Sequence, residues 1–484
     1  MTAPRLAAAL SLAAALAGCV RNPVTGERQL TLVSSEQEVA LGKQSAEEVR
    51  QTMGIYDDPG AKAYVEAIGL KMAIASERPR IPWTFEIVDD DTVNAFALPG
   101  GPIFVTRGIL THLGSEAELA AVVGHEIGHV TARHSVQQLS KAQLAQVGLG
   151  LGAVLSPDLA QYGQLASVGL QVLFLKYGRD AERQSDELGF RYMTGAGYDP
   201  RAMPGVFRML GRASALAGGG GRVPEWMSTH PDPENREAKA AERAAGVPNA
   251  EQLRVDRAAY LARVDGMVFG ADPRQGYFEG QTFVHPGLGF KLEFPKGWKA
   301  KHGAASVQGV SAEEDAAVQL STVSGAPTPE EARTKFFAQQ GIRPASTLTG
   351  ESLDVPGGSS RFEAQTQDGV LAGYVRFVGA GKTTVQLVAF APQAAFLKHE
   401  AALRGALASF GPLTDRAVLE VKPARVKLVK LDRDLTVAEF LARYPSNADP
   451  KLVAVINGVD EGGRMKAGEL AKQVVGGPAT STGR

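Results

Sequence analysis

Val122-Val123-Gly124-His125-Glu126-Ile127-Gly128-His129 is the stretch that decides how this chain is read. Histidines four apart on a helix face one side, with Cβ atoms about 5–6 Å apart. Both imidazoles can then reach one metal ion. Glu126 follows His125 by one residue and projects at an angle, where it can take a proton from a water without competing as a ligand. This pattern suits zinc-assisted hydrolysis, because the ion polarises a carbonyl and lowers the pKa of water. The flanks predict a helix. Ser115 and Glu118 have capping-box spacing, and Leu119, Val122, Val123, Ile127 and Val130 supply an apolar face. Such a site takes a third protein ligand and keeps a fourth position open. One zinc per chain is expected.

Candidates for the third ligand lie in Arg179-Asp180-Ala181-Glu182-Arg183-Gln184-Ser185-Asp186-Glu187-Leu188-Gly189. Glu182 and Asp186 are again four apart on a predicted helix. One carboxylate can bind metal while the other orients a ligand imidazole through its second ring nitrogen. Taken alone, such a pair is an ordinary solvated helix face; His125 and His129 change its meaning.

H-E-I-G-H-V-T-A-R-H followed some fifty residues on by E-R-Q-S-D-E-L-G resembles the gluzincin metallopeptidases, the family of BepA, HtpX and the CAAX prenyl proteases. The likeness runs from about residue 20 to 260 and is greatest to the soluble periplasmic lipoprotein members. It implies that His125, His129 and Glu182 bind zinc, that Glu126 is the general base, and that Asp186 supports a ligand. The expected architecture is α+β. A mainly helical zinc-peptidase domain with a small edge-strand sheet (19–265) is followed by an α+β accessory domain (275–415) and a small βααβ LysM-like module (422–476).

With 484 residues the chain exceeds one ordinary core. A net charge of -1 argues against a dedicated nucleic-acid binder. Residues 1–18 read as a targeting segment, with Arg5 before the apolar run Leu6 to Ala17, which is too short to span a bilayer. Leu16-Ala17-Gly18-Cys19 resembles a bacterial lipobox, which implies cleavage before Cys19 and lipid on that residue. Val20 rather than Asp follows, so an outer-membrane lipoprotein facing the periplasm is expected. Cys19 is the sole cysteine, so an oxidising compartment poses no problem.

Ser35 and Glu38 have the spacing of a second capping box, opening a helix to about Met53, and another helix is expected from Gly60 to Ile74. Pro82 to Val88 alternates as a strand. Asn94 to Thr106 reads as two short strands round Pro99-Gly100-Gly101, with prolines 99 and 102 predicting an edge position. Residue types leave a structural hairpin and a peptide-binding edge equally open. The resemblance implies a substrate role for Gly100, Gly101, Ile103 and Phe104. His112 and His134 fall off the motif's spacing and read as structural. Leu139 to Lys176, broken by glycines and Pro157, reads as two amphipathic helices over the cleft rather than a membrane span.

Ser228-Thr229-His230-Pro231, with Arg236 six positions after the histidine, resembles a loop of the periplasmic members that reaches over the zinc. It implies that His230 approaches the metal or the reacting carbonyl. The glycines at 218–221 would serve as its hinge. Beyond Val264 the composition shifts to strand-like runs at Ala317–Val323, Arg361–Thr366, Leu371–Val378 and Thr383–Phe390, with helices at Pro329–Gln339 and Ala395–Leu407. Gly289 to Trp298 is similar over a short stretch to PsbP- and Mog-like domains. The last segment, with Thr436 and Glu439 capping a helix, resembles a LysM module and implies affinity for peptidoglycan. Asp434-Leu435-Thr436 stands where that module's opening G-D-T would be. Residues 477–484 read as a tail.

These readings converge on a zinc endopeptidase tethered in the bacterial envelope, acting on polypeptides such as unassembled outer-membrane proteins. The rival readings are a non-catalytic holdase whose zinc site is closed by His230, and a peptidoglycan-binding lipoprotein.

Overall fold

The computed structural model describes residues 19–149, 177–217, 230, 236–302, 306–323, 325–345, 359–366, 369–381, 383–460 and 462–477. The expected targeting segment, most of the helical cover at 139–176, the glycines at 218–221 and most of the tail lie outside these residues. The chain divides into two units: one runs to Gly270 and takes in Ala424–Val475, the other comprises Ala271–Pro423 with Gly476–Arg484. No helix among the described residues is long and apolar enough to cross a membrane.

In the first unit a short hairpin, β1 (Cys19–Arg21) and β2 (Arg28–Leu30), precedes helices α1 (Ser35–Met53) and α2 (Pro59–Ala73). Three strands follow, β3 (Thr84–Val88), β4 (Ala95–Ala97) and β5 (Pro102–Thr106), then α3 (Arg107–His112) and α4 (Glu116–Thr131). Helix α4 carries the two histidines. Ser115 caps it by accepting from Glu118 N, but the Glu118 carboxylate accepts from Gly114 N, so the predicted box is half formed. Every residue of α4 except Glu118 is buried. A helix apolar nearly all round is a core helix, and Val122, Val123 and Ile127 pack with Ile68, Met72, Phe85 and Ile103. After Arg133, in the left-handed region at φ 59°, the chain continues as α5 (His134–Leu149). Helices α6 (Arg179–Gly195), α7 (Met203–Ala217), α8 (Arg236–Ala245) and α9 (Arg257–Val264) complete this part.

Two local expectations are corrected. The first box of α1 is formed by Ser34 with Gln37, one residue early. Glu38 is instead buried, where it accepts from Arg78, Arg133 and the Gly100 N–H. Second, the sheet order is β3-β5-β4, with β5 parallel to β3 and antiparallel to β4. The strand holding Ile103 and Phe104 is therefore central, and β3 and β4 are the edges. Pro102 is tolerated because it opens its strand, where a missing N–H costs least. Gly100, Gly101, Ile103 and Phe104 are all buried. A Cβ on Gly100 would lie 2.7 Å from Val39 Cα, and both glycines have positive φ. The Gly-Gly turn packs against α1.

The C-terminal segment pairs β17 (Ala424–Lys430) with β20 (Leu470–Gly476) and β18 (Leu435–Thr436) with β19 (Arg464–Met465). Between them lie α12 (Val437–Arg443), with the expected Thr436–Glu439 capping box, and α13 (Pro450–Ile456). It has a small core around Leu435, Phe440 and Val453. It also joins the rest of its unit: Val455 enters the main core, and Phe269 packs with Val426, Ile456 and Val474. Lys472 is buried and donates from Nζ to the carbonyls of Thr111 (2.8 Å) and Leu113, at the end of α3. Burial pushes its pKa down to about 7, with Glu118 opposing.

In the second unit the seven-stranded antiparallel sheet runs β12-β13-β14-β15-β11-β10-β9. Its strands are β9 (Lys299–His302), β10 (Ser306–Val310), β11 (Ala317–Val323), β12 (Ile342–Pro344), β13 (Ser360–Thr366), β14 (Gly369–Ala380) and β15 (Thr383–Pro392). Helices α10 (Pro329–Phe337) and α11 (Gln393–Ser409) accompany it, and a four-stranded sheet contains β6 (Tyr277–Glu279), β7 (Thr282–His285), β8 (Phe290–Glu293) and β16 (Gly411–Pro412).

The chain leaves and re-enters the first unit at one place. Gly266 N donates to Val426 O, Val426 N to Met267 O and Phe269 N to Ala424 O, each within 2.9 Å. Excising 271–423 and joining Gly270 to Ala424 through a short glycine linker should therefore leave a folded first unit. Ending the chain at Gly270 strips away Val426, Val455, Ile456 and Val474. Each buried side chain of this kind is worth about 1.5–3 kcal/mol, and a domain's whole margin is about 5–15 kcal/mol. Thermal melting should show a cooperative transition for the excised protein and a lost or much lowered one for the truncated protein. Equal behaviour of the two would contradict this topology.

Candidate metal centre

Two helices make the site by crossing closely. A Cβ on Gly189 of α6 would stand 2.8 Å from His125 N and 3.0 Å from Gly124 C, and one on Gly128 would meet Ser185 Cα at 3.0 Å. Glycine at these positions lets the backbones approach. One and two turns back from Gly189, Asp186 and Glu182 then come beneath the imidazoles of α4.

His125 Nε2 and His129 Nε2 lie 3.0 Å apart, and His230 Nδ1 is 3.4 Å from His125 Nε2. Glu182 Oε1 sits 3.0 Å from His230 Nδ1 and 3.5 Å from His129 Nε2, and Glu182 Oε2 lies 3.5 Å from His125 Nε2. One ligand atom from each of the four residues falls within 4.8 Å of the others. All four side chains are at most 2% exposed. Two ring nitrogens and a carboxylate oxygen turned on one another in a water-free place leave lone pairs in opposition unless a cation lies between them. The donor set, nitrogen with carboxylate oxygen, is one that zinc accepts. The residues present fit the ion.

The supporting contacts fix which nitrogen each histidine offers. His125 Nδ1 donates to Asp186 Oδ1 at 2.9 Å, leaving Nε2 for the cluster. Arg236 donates from Nε to Asp186 Oδ2 (2.9 Å) and from Nη2 to Asp186 Oδ1 (2.6 Å), and its Nη1 is 3.2 Å from Glu182 Oε2. Its guanidinium also lies over the Phe207 ring of α7, 4.4 Å from the centroid.

Burial lowers the pKa of His129 and His230, which keeps their lone pairs available. Burial would also lower His125, but Asp186 and Glu182 outweigh it and raise that group to about 9. Burial favours a protonated Glu182, yet His230 and His125 hold its carboxyl far below the usual range.

Glu126 is fully buried, and neither carboxylate oxygen has a hydrogen-bonded side-chain partner. Its Oε1 is 3.8 Å from His230 Nε2. Burial first, and the charge of Glu182 next, push its pKa up to about 8, against the pull of His125, Arg236 and the Ala97 N–H on the edge strand β4. A carboxylate held this way is ready to accept a proton.

The structure brings together His125, Glu126, His129, Glu182, Asp186 and His230. Gly100 and Gly101 form the buried turn into β5, Ile103 and Phe104 lie in that central strand, and Cys19 begins the short hairpin. The five-residue offset predicts that His134 faces away from the motif. In fact its Nδ1 is 3.0 Å from His129 Nδ1, because the helix ends before it and the chain turns at Arg133. His112 fits the structural reading: its Nδ1 bonds Gly108 O and its ring stacks on Phe269. Arg236 and Tyr177, whose ring stacks on His129 at 4.0 Å, have no role assigned by spacing.

A buried His-His-Glu donor set with an unpaired glutamate next to the first histidine defines a zinc metallopeptidase site of the gluzincin kind. Residues 59–244 match peptidase family M48. Among curated relatives, the beta-barrel assembly-enhancing protease of Yersinia pestis is 30% identical over 260 residues, covering 52% of each chain. The mitochondrial metalloendopeptidase OMA1 of Arabidopsis thaliana is 36% identical over 165 residues, 34% of this chain and 32% of that protein. The chain spans about half the length of the first of these relatives and less of the second. A solved structure of cyanobacterial PsbP from Synechocystis aligns with 27% of this chain and 91% of that one, at 9% identity and a TM-score of 0.21. A score of that size decides nothing about the fold.

Gly189→Ala tests the helix crossing. The added methyl must push α4 and α6 apart, at a cost of about 1–3 kcal/mol, and should draw Glu182 away from the histidines. Melting temperature and zinc affinity by chelator competition should both fall. Wild-type values for both would mean that the close approach does not set the ligand spacing.

Proposed function

We propose that this chain is a zinc-dependent endopeptidase of the bacterial envelope that cleaves misfolded or unassembled polypeptides. The observation that carries the reading is the convergence of His125, His129 and Glu182 beside a buried Glu126 that no side chain neutralises by hydrogen bonding. Zinc, when bound, lowers the pKa of a water and polarises the substrate carbonyl. Glu126 takes the proton from that water and returns it to the departing amine. Asp186, held by Arg236, keeps the His125 ring turned with Nε2 inward. The likeness to beta-barrel assembly-enhancing proteases favours outer-membrane proteins as substrates. Cys19 is the proposed lipid anchor, on its outer-membrane lipoprotein sequence pattern.

His230 favours a resting state. Its Nδ1 lies among the donor atoms of His125, His129 and Glu182, where an open position would hold water or the substrate carbonyl. In this arrangement the site is closed until the His230 segment moves. The alternative reading, a holdase with a permanently closed site, rests on this same observation. Peptidoglycan binding by the 422–476 segment has only its sequence likeness in support.

Cleavage of an unfolded outer-membrane protein by wild type and by Glu126→Gln separates these readings. Wild type should cleave, and Glu126→Gln should retain zinc and lose cleavage by at least about a hundredfold, the scale of general-base catalysis. Absence of cleavage by zinc-loaded wild type would favour the holdase, and equal cleavage by both would remove Glu126 from the chemistry.

His230→Ala addresses latency. Basal cleavage of a loosely folded substrate should rise, because the ring no longer fills the open position. A loss of about a hundredfold would assign the imidazole to stabilising the reacting oxygen instead. Unchanged rates would take it out of the site.

A further inference from the structure

We infer that His134, locked by Gln184, is a positioning residue that sets the tautomer and ring orientation of the zinc ligand His129. The inference rests on reading His125, His129 and Glu182 as zinc ligands. Its own ground is a hydrogen-bond chain on the far side of His129 from the cluster.

His129 turns Nε2 toward His125 Nε2 (3.0 Å) and Glu182 Oε1 (3.5 Å), so the metal-facing lone pair must be on Nε2. The proton of the neutral ring is then on Nδ1 and has to be donated. Among the described residues its acceptor is His134 Nδ1, 3.0 Å away and buried. That nitrogen can accept only if His134 carries its own proton on Nε2. Nε2 in turn lies 2.9 Å from Gln184 Oε1, an acceptor. The Ser185 hydroxyl lies farther from His134 Nδ1, at 3.3 Å. With Gln184 Oε1 accepting at His134 Nε2, the protons along Gln184, His134 and His129 run in one order to the metal-facing nitrogen.

The ring plane is held as well. Tyr177 stacks on His129 with centroids 4.0 Å apart and planes 27° apart, and its hydroxyl is 2.8 Å from Ser135 Oγ. The two ligand histidines are therefore supported differently, His125 by a carboxylate and His129 by a neutral imidazole. Asp186, the Gln184 that locks His134, and the third ligand Glu182 all come from one stretch of α6.

The test measures zinc affinity by chelator competition, with melting of the metal-free protein as a control for folding. His134→Leu should lower the affinity by about 10–100-fold, the usual effect of removing a ligand's supporting hydrogen bond. His134→Asn, which places an amide oxygen near the former Nδ1, should recover most of that loss. Gln184→Leu should cost less than His134→Leu. Wild-type affinity in a folded His134→Leu, or no recovery in a folded His134→Asn, overturns the inference. Nitrogen NMR of zinc-loaded wild type labelled at histidine decides the matter even if a variant fails to fold. A proton on His134 Nε2 and a bare Nδ1 support the inference; a proton on His134 Nδ1 overturns it. Wild type that binds no zinc would instead overturn the reading of the ligands.

Discussion

The site depends on the close crossing of α4 and α6. Gly124, Gly128 and Gly189 remove the side chains that would separate the two backbones. Only at that distance can short carboxylate side chains on one helix reach imidazoles on the other. The consequence is a buried place where Glu126, Glu182 and Asp186 face few positive groups, chiefly Arg236 and the histidines themselves. Burying carboxylates without compensation is costly. The chain answers with an arginine clamp on one side and with donor atoms arranged for a cation on the other. Stability and chemistry therefore share one arrangement.

The surroundings place that crossing in a rigid frame. The zinc helix is buried on nearly every face, and the three-stranded sheet lies against it with the edge strand β4 nearest Glu126. Lys472 ties the C-terminal segment to the end of α3, just before the first turn of α4. After residues 271–423 the chain thus returns to the unit that holds the metal centre.

Much of the centre was legible in the sequence because helical periodicity is short-ranged. His125 and His129, and Glu182 and Asp186, each lie one turn apart, so their shared faces follow from spacing alone. His134 was misread for the same reason. The periodic rule assumes that the helix continues, and the turn at Arg133 occurs without the glycine or proline that usually marks one. The edge strand was misplaced because prolines 99 and 102 suit a turn and a strand start as well as an edge, and strand order depends on contacts far away in sequence. Arg236 was visible only as a position in a motif, since its partners lie fifty residues earlier. In the second unit, strand bounds such as Ala317–Val323 were read directly from β-branched runs, whereas the order of the seven strands was not accessible to local patterning.

The central claim is that the buried donors converge on a cation, and the most direct measurement is the zinc content of the purified full chain together with its melting temperature, before and after chelation. One zinc per chain is predicted, with a clear drop in melting temperature on its removal and recovery on its return. A chain that retains no zinc after purification in zinc-containing buffer, and melts at the same temperature with and without chelator, would contradict the account.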